Sequence, residues 1–481
     1  MTSPATDDNY VENRTFDELK VGDSASITRS VTAEDVQLFA AVSGDVNPAH
    51  LDPAFAQTDI FHRVIVHGMW GGALISGVLG VKLPGPGTIY LDQSLKFTRP
   101  VDIGDAITAT VTVAEKKPSH QIVLLDCRCT NQCGEEVISG QAVVKAPTEK
   151  VRRPRVALPE VRLTRHDRLR ALLSQAQTGE APTVTAVVHP CDATAILAAS
   201  EAAAAGLIAP VLIGPEAKIR AAAAAAGVDI GTFRLIATPH SHAAAAQGVA
   251  LARSGEAQLL MKGSLHTDEL MSAVVSTQGG LRTERRVSHV YLMDVAGYPR
   301  PLLVTDAAIN IAPDLEAKRD IIQNAVELAH AIGIATPRVA ILAAVETVNL
   351  KMRSTLEAAA LCKMADRGQI TGAILDGPLA FDNAVNPDAA KEKGIVSPVA
   401  GQADILLVPD LEAGNMLAKQ LTFLSGADAA GVVLGARVPI VLTSRADSAR
   451  TRIASCALAV LVARARVAAA PGSPQIDPVA A

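Results

Sequence analysis

Long apolar runs, aromatic side chains and cysteine are all scarce in this 481-residue sequence. The most apolar stretch near the C-terminus, residues 453–463, is interrupted by Ser455, and it falls far short of the roughly 20 residues that cross a bilayer. No membrane partner is expected. Six cysteines in a chain of this length make no disulfide framework and fit a reducing compartment. Cys127, Cys129 and Cys133 lack a CxxC pair or matching histidines, so a structural metal is not expected. The N-terminal segment carries acids and no apolar core, which excludes a secretory or transit peptide and points to the cytoplasm. Excess positive charge is missing too: 44 Lys and Arg against 49 Asp and Glu leave a net charge of -5. No global field attracts nucleic acid, and anionic ligands need local sites. GxGxxG and Walker A loops are likewise absent, which argues against nicotinamide binding and nucleotide hydrolysis.

What is present describes a compact protein: 49% of residues are hydrophobic and only 19% charged. At this length two domains are expected. Residues 94–144 alternate in period two, with Pro118, Ser119, Asn131 and Gly134 between the runs, which predicts an antiparallel sheet. Ahead of it lie two helical segments. The first opens at Thr32, with Asp35 three residues on as a capping pair, and the second is HGMWGGALISGVLG, whose small residues suit close packing inside a curved sheet. Residues 145–165 carry three prolines and several arginines, and they read as a linker. Beyond it, short apolar runs alternate with helical stretches, which predicts an α/β domain with a largely parallel sheet. The boundaries are drawn at residues 1–146, a linker at 147–166, a second domain at 167–467 and a frayed tail at 468–481.

The segment SGDVNPAHLDPAFAQ places Asp45, Asn47 and His50 in a bend forced by Gly44 and Pro48. An aspartate and a histidine held together can share a water, one taking its proton while the other delivers a proton to substrate. By itself such a trio is more readily a turn cap beside a structural histidine. With VHGMWGGALISGVLG and IYLDQSLKFTRPVDIGD following, the segment resembles the MaoC-like (R)-specific enoyl-CoA hydratases over residues 14–146. The resemblance implies a hot dog fold, an α+β arrangement in which Asp45 and His50 activate water for addition to a trans-2-enoyl-CoA. Asn47 belongs to the same signature. The Gly68 N–H would face the thioester oxygen, and Ser76 matches a serine near the pocket. Trp70, the only tryptophan, either narrows that pocket or fills the core.

In the second domain, polar groups fall at predicted strand ends: Lys262, Asp306, Asp376, Asp382, Asn415, and Ser444 with Arg445. The segments MKG, TDAAINIAPDLEAK, DGPLAFDNA, ADILLVPDLEAGN and TSRADS resemble the phosphate acetyl- and butyryltransferases over residues 168–466. That family has two α/β subdomains and moves an acyl group between CoA and phosphate. A guanidinium holds phosphate bidentately, so Arg445 is assigned to phosphate and Ser444 to the reacting acyl phosphate or CoA sulfur. The acetyltransferase branch carries an aspartate seven residues after its serine, where this sequence has Thr451; Asp447 is the nearest substitute. His189 and His266 are further candidates. CoA thioesters and phosphate are substrates, with no bound cofactor and no metal expected. A homo-oligomer is expected, because hot dog sheets usually pair. Two other readings stand beside this one: a phosphate acyltransferase whose first domain only binds acyl-CoA, and a related decarboxylating dehydrogenase.

Overall fold

The computed structural model describes residues 9–159, 161, 167–178, 181–442 and 447–468. The chain forms two compact units that divide between residues 164 and 165.

In the first unit, strands β1 (Ser24–Ser30), β2 (Ile89–Phe97), β3 (Ala106–Lys117), β4 (Ile122–Thr130) and β5 (Glu136–Lys145) form one antiparallel sheet. Its order is β1-β3-β4-β5-β2. Strict alternation sends one side of β3 and β4 inward: Ile107, Ala109, Val111 and Val113 on β3 are buried while their neighbours are half-exposed. Helix α1 (Ala33–Ser43) starts with the capping box expected from its sequence. The Thr32 hydroxyl accepts from the Asp35 N–H at 3.1 Å, and the Asp35 carboxylate accepts from the Thr32 N–H at 2.9 Å. Helix α2 (Gly68–Val81) lies against the sheet through Trp70, Ile75, Val78 and Leu79. Gly71 lets it come that close, since a Cβ there would sit 2.3 Å from Ile138 Cδ1.

The stretch read as a linker begins inside this unit. Arg152–Pro154 pairs antiparallel with Tyr10–Glu12, and the Asn13 side chain donates to the carbonyls of Pro86 and Glu149. Prolines end the hydrophobic period there without ending main-chain pairing at a strand edge.

The second unit is built on an 11-stranded sheet. Its strands are β6 (Thr183–Val188), β7 (Ile208–Gly214), β8 (Arg234–Ala237), β9 (Leu259–Lys262), β10 (Ser288–Asp294) and β11 (Leu302–Thr305). They continue as β12 (Arg338–Leu342), β13 (Ile374–Leu379), β14 (Ile405–Leu407), β15 (Asp428–Leu434) and β16 (Ile440–Val441). The order is β8-β7-β6-β9-β16-β15-β10-β11-β14-β12-β13, parallel except at the pairs β16/β15, β15/β10 and β10/β11. One face carries a continuous core from Val187 on β6 to Ile341 on β12. The opposite face carries two cores, one around Val188, Ile213 and Leu260, the other around Val304, Leu342 and Leu406. Two subdomains therefore share a single sheet. Residues 453–463, the most apolar stretch near the C-terminus, lie in helix α5 (Ala449–Ala468), where every position from Ala454 to Ala463 is buried. An all-round apolar helix belongs in an interior, and this one packs on the continuous face.

Candidate active sites

The first site is made by chain ends meeting. Gly44, at φ 75°, closes α1 in the left-handed conformation and turns the chain toward Asp45. The Asp45 carboxylate accepts from the Asn47 N–H at 3.2 Å, and Asn47 caps the one-turn helix Pro48–Leu51 by accepting from the Ala49 N–H at 3.1 Å. Asn47 thereby shapes the loop. His50 stands on that turn, with Nδ1 2.7 Å from the Ile65 carbonyl. A carbonyl can only accept, so Nδ1 carries the proton and Nε2 is the free nitrogen.

His67, which sequence reasoning passed over, completes the arrangement. Its ring lies 3.9 Å from the His50 ring between centroids, and its Nε2 is 3.1 Å from the Asp45 carbonyl. Burial pushes its imidazole below the ordinary value, the Asp45 carbonyl opposes that, and His50 adds to it. His67 is thus held neutral beneath His50. Asp45, His50 and His67 each offer an atom within 4.8 Å of the others, a spacing at which one water lies about 2.8 Å from all three. They are also the one group among the described residues with the number and spacing to hold a metal ion.

Beside them opens a cavity of about 350 Å³ that touches His50, His67 and Gly68 and is otherwise mostly apolar. Gly68 is the first residue of α2, so its N–H has no acceptor within the helix. The helix dipole adds positive potential at that point, where a thioester oxygen gathering negative charge would be stabilised. Ser76 is elsewhere. Two turns further along α2 it is exposed, and it lines a separate groove with Met69 and Tyr90.

The residues chosen in the second unit do not form one constellation. Because strand direction reverses across β15, β10 and β11, the carboxyl ends of β6, β7, β9 and β16 lie at one edge of the sheet. Those of β11, β12, β13 and β14 lie at the other. Lys262 ends β9 opposite Val188 and donates to the carbonyls of Gly263 and Leu265 at 3.3 Å. At the same edge, Ser264 donates to the His189 carbonyl at 2.8 Å and accepts from the Cys191 N–H at 3.0 Å. His189 holds φ 55° and is pushed down mainly by burial, then by Lys218. Glu269 is held below the usual carboxylate range, first by a hydrogen bond from Ser241 and then by the fields of His242, His266 and His189.

Ser444 and Arg445 lie outside the described residues. The chain on either side of them, β16 before and α5 after, sits beside β9 at this edge. Ser448 accepts from the Thr451 N–H at 3.1 Å in the first turn of α5, and their hydroxyls lie 3.1 Å apart. Thr451 is therefore engaged locally.

Asp306 is buried at the opposite edge, where its carboxylate accepts from the N–H groups of Ala308, Ile309 and Asn310 at 3.0–3.1 Å and from the Asn310 amide at 2.6 Å. It ties a loop. Asn415, on helix α4 (Leu411–Phe423), donates to the Ala307 carbonyl of that loop at 3.2 Å. Asp376 accepts from the Gly377 N–H at 2.8 Å, and the half-exposed Asp382 lies 3.9 Å from Lys393. Mid-sheet, where the second face divides between its two cores, His289 on β10 is fully enclosed. Burial pushes it down to about 4 against the opposing field of Asp306, and Tyr291 meets it edge-on at 4.3 Å.

Two family models match the chain: MaoC like domain over residues 19–129, and Phosphate acetyl/butaryl transferase over residues 240–460. The phosphate acetyltransferase of Rhizobium meliloti is 65% identical over 306 residues, which cover 64% of this chain and 96% of that protein. Among solved structures, a branched-chain phosphotransacylase from Enterococcus faecalis is similar at 28% identity and TM-score 0.53, covering 58% of this chain and 99% of that one. R-hydratase PhaJ1 from Pseudomonas aeruginosa is similar at 47% identity and TM-score 0.31, covering 32% of this chain and 99% of that one. The chain belongs to the phosphate acetyl/butyryl transferase family and carries a MaoC-like domain ahead of the transferase.

Proposed function

We propose that the protein is a bifunctional acyl-CoA enzyme. Its first unit hydrates trans-2-enoyl-CoA reversibly to (R)-3-hydroxyacyl-CoA, and its second moves an acyl group between CoA and phosphate. The observation that carries the first activity is one cavity lined by His50, whose Nε2 is free, by His67 and by Gly68, whose N–H has no acceptor within its helix, with Asp45 alongside. Water held by Asp45 and His50 gives up a proton as its oxygen bonds to C3. The electron pair of the double bond moves onto the thioester oxygen near Gly68, and C2 then takes a proton from the same pair. The second activity rests on the family and on Ser444 and Arg445, with phosphate attacking the thioester carbonyl and CoA leaving as thiolate. Substrates alone meet the chemical needs of both reactions, without a bound cofactor.

Two features support a homo-oligomer. Strand β2 is an open sheet edge, and beside it Tyr90, Leu91 and Met69 are exposed around a groove of about 490 Å³. A second copy pairing edge to edge would cover them. Six free cysteines and substrates made from CoA support a cytoplasmic setting; no helix among the described residues is long and apolar enough to cross a membrane. The test is a paired assay on purified protein, measuring phosphate-dependent CoA release from acetyl-, propionyl- and butyryl-CoA beside loss of crotonyl-CoA absorbance. Both activities are expected from one chain. CoA release without hydration of any enoyl-CoA would reduce the first unit to a binding module.

A further inference from the structure

The first helix of the second unit, α3 (Asp167–Ala176), packs on the continuous core face and, with β10, lines an open cavity there. Leu169 and Leu172 of α3, Leu292 of β10 and the half-buried Ile332 give the cavity apolar walls, and the exposed Ala171 and Gln175 stand at its mouth. Among the described residues, none assigned above to hydration or acyl transfer lines it.

One ion pair is set into these walls. Asp294, the last residue of β10, is almost fully buried, and Arg168 of α3 is two-thirds covered. Arg168 donates through Nη1 to Asp294 Oδ1 at 3.0 Å and through Nη2 to the Tyr298 carbonyl at 2.9 Å. The other carboxylate oxygen, Asp294 Oδ2, is buried with no hydrogen-bond partner. Such an oxygen has lost its hydration and gained nothing in return, which is why folded proteins leave few of them. Asp428 stands directly opposite Asp294 on β15 and adds negative field rather than a donor. Arg450, 3.2 Å from the Asp428 carboxylate, answers that charge.

The donor that Oδ2 needs therefore comes from outside the chain. Water is a poor candidate, because the surrounding walls are apolar and leave it few further partners. A simple cation would be repelled by Arg168, and a simple anion by Oδ2. A zwitterion meets both charges with the opposite sign. Arg168 can supply the second contact, since a guanidinium has five N–H groups and two of its own are engaged; the rest suit a carboxylate. We propose that this cavity binds a free apolar α-amino acid. Its α-ammonium donates to Asp294 Oδ2, its α-carboxylate accepts from Arg168, and its side chain lies against Leu169, Leu172 and Leu292, as in sites where a few polar groups orient a ligand on apolar walls. The site is independent of both activities proposed above.

The test is isothermal titration calorimetry on the full chain with leucine, valine and methionine, beside isoamylamine and isocaproate, which each keep the leucine side chain and one of its two charges. Leucine is expected to saturate one site per chain. Each single-charge probe should bind at least about tenfold more weakly, because a hydrogen bond to a charged group is worth about a decade in affinity or more. Asp294→Asn keeps the shape and removes the charge, and Ala171→Trp closes the mouth from an exposed position; each should weaken leucine by a similar factor, with folding checked by circular dichroism. If Asp294→Asn does not fold, Ala171→Trp decides alone. No saturable binding of any of the three amino acids up to about 10 mM, a range that covers even weak ligands, would leave Oδ2 to water and overturn the site. So would a folded variant that binds leucine as wild type does, or a single-charge probe that matches it.

Discussion

The two units build their sites in opposite ways. In the first, Asp45, Asn47, His50, His67 and Gly68 all come from one short stretch, and they meet because a left-handed glycine, an asparagine cap and a helix start turn the chain back on itself. In the second, Lys262, Asp306, Asp376 and Asn415 come from distant segments, and sheet topology sends Lys262 to one edge and Asp306 with Asn415 to the other. A site built from local turns survives as a unit. A site built on sheet edges depends on strand order, which no local motif encodes.

The sharpest break of this comparison uses one chain and two assays. Asp45→Ala should lower enoyl-CoA hydration about 10³- to 10⁴-fold, about 4–5 kcal/mol, with CoA release unchanged, and Arg445→Ala should do the converse at similar size. Loss of both activities in either variant would mean the sites are not independent.

Stability gives the next contrast. Lys318 and Glu357 form a buried pair at 2.6 Å in the second unit, and Arg353 reaches the same carboxylate at 2.7 Å. Glu357→Leu strands the Lys318 ammonium and should cost about 3–4 kcal/mol, read as an earlier calorimetric transition with hydration persisting below it. A similar difference should separate the units in acid. His289 sits at about 4 in the folded state, against about 6.5 when unfolded. The unfolded chain therefore binds the proton first as pH falls. Stability is complete above about pH 6.5 and drains away toward pH 4, by up to about 3 kcal/mol. His289→Gln should flatten that dependence, as measured by denaturant melts from pH 7 to 4.5; an unchanged slope would remove His289 as its source. The smallest effect is expected from Gly68→Ala. Its N–H remains while the new methyl pushes on Phe97, so hydration should fall about tenfold, about 1.4 kcal/mol.

Much of this was legible beforehand. Alternation in residues 106–145 showed inward and outward faces, Thr32 and Asp35 marked a helix start, and the bend at Asp45 announced a polar loop. His67 escaped because a histidine just before a helix carries no signal in one dimension; only its ring against His50 and its bond to the Asp45 carbonyl give it a part. Ser76 lines a separate groove about 12 Å further along the helix axis, a separation that closeness in sequence conceals. Asp306 looked like a ligand and instead holds its own loop together with Asn310.

What the sequence alone determined is whatever depends on neighbours: hydrophobic period, caps, turns and the motifs that mark both families. What only the tertiary structure decided is which strand lies beside which and in what direction. Those pairings are set by burial summed over many distant residues, and one reversal between β10 and β11 puts the ends of β11, β12, β13 and β14 on the far side of the sheet.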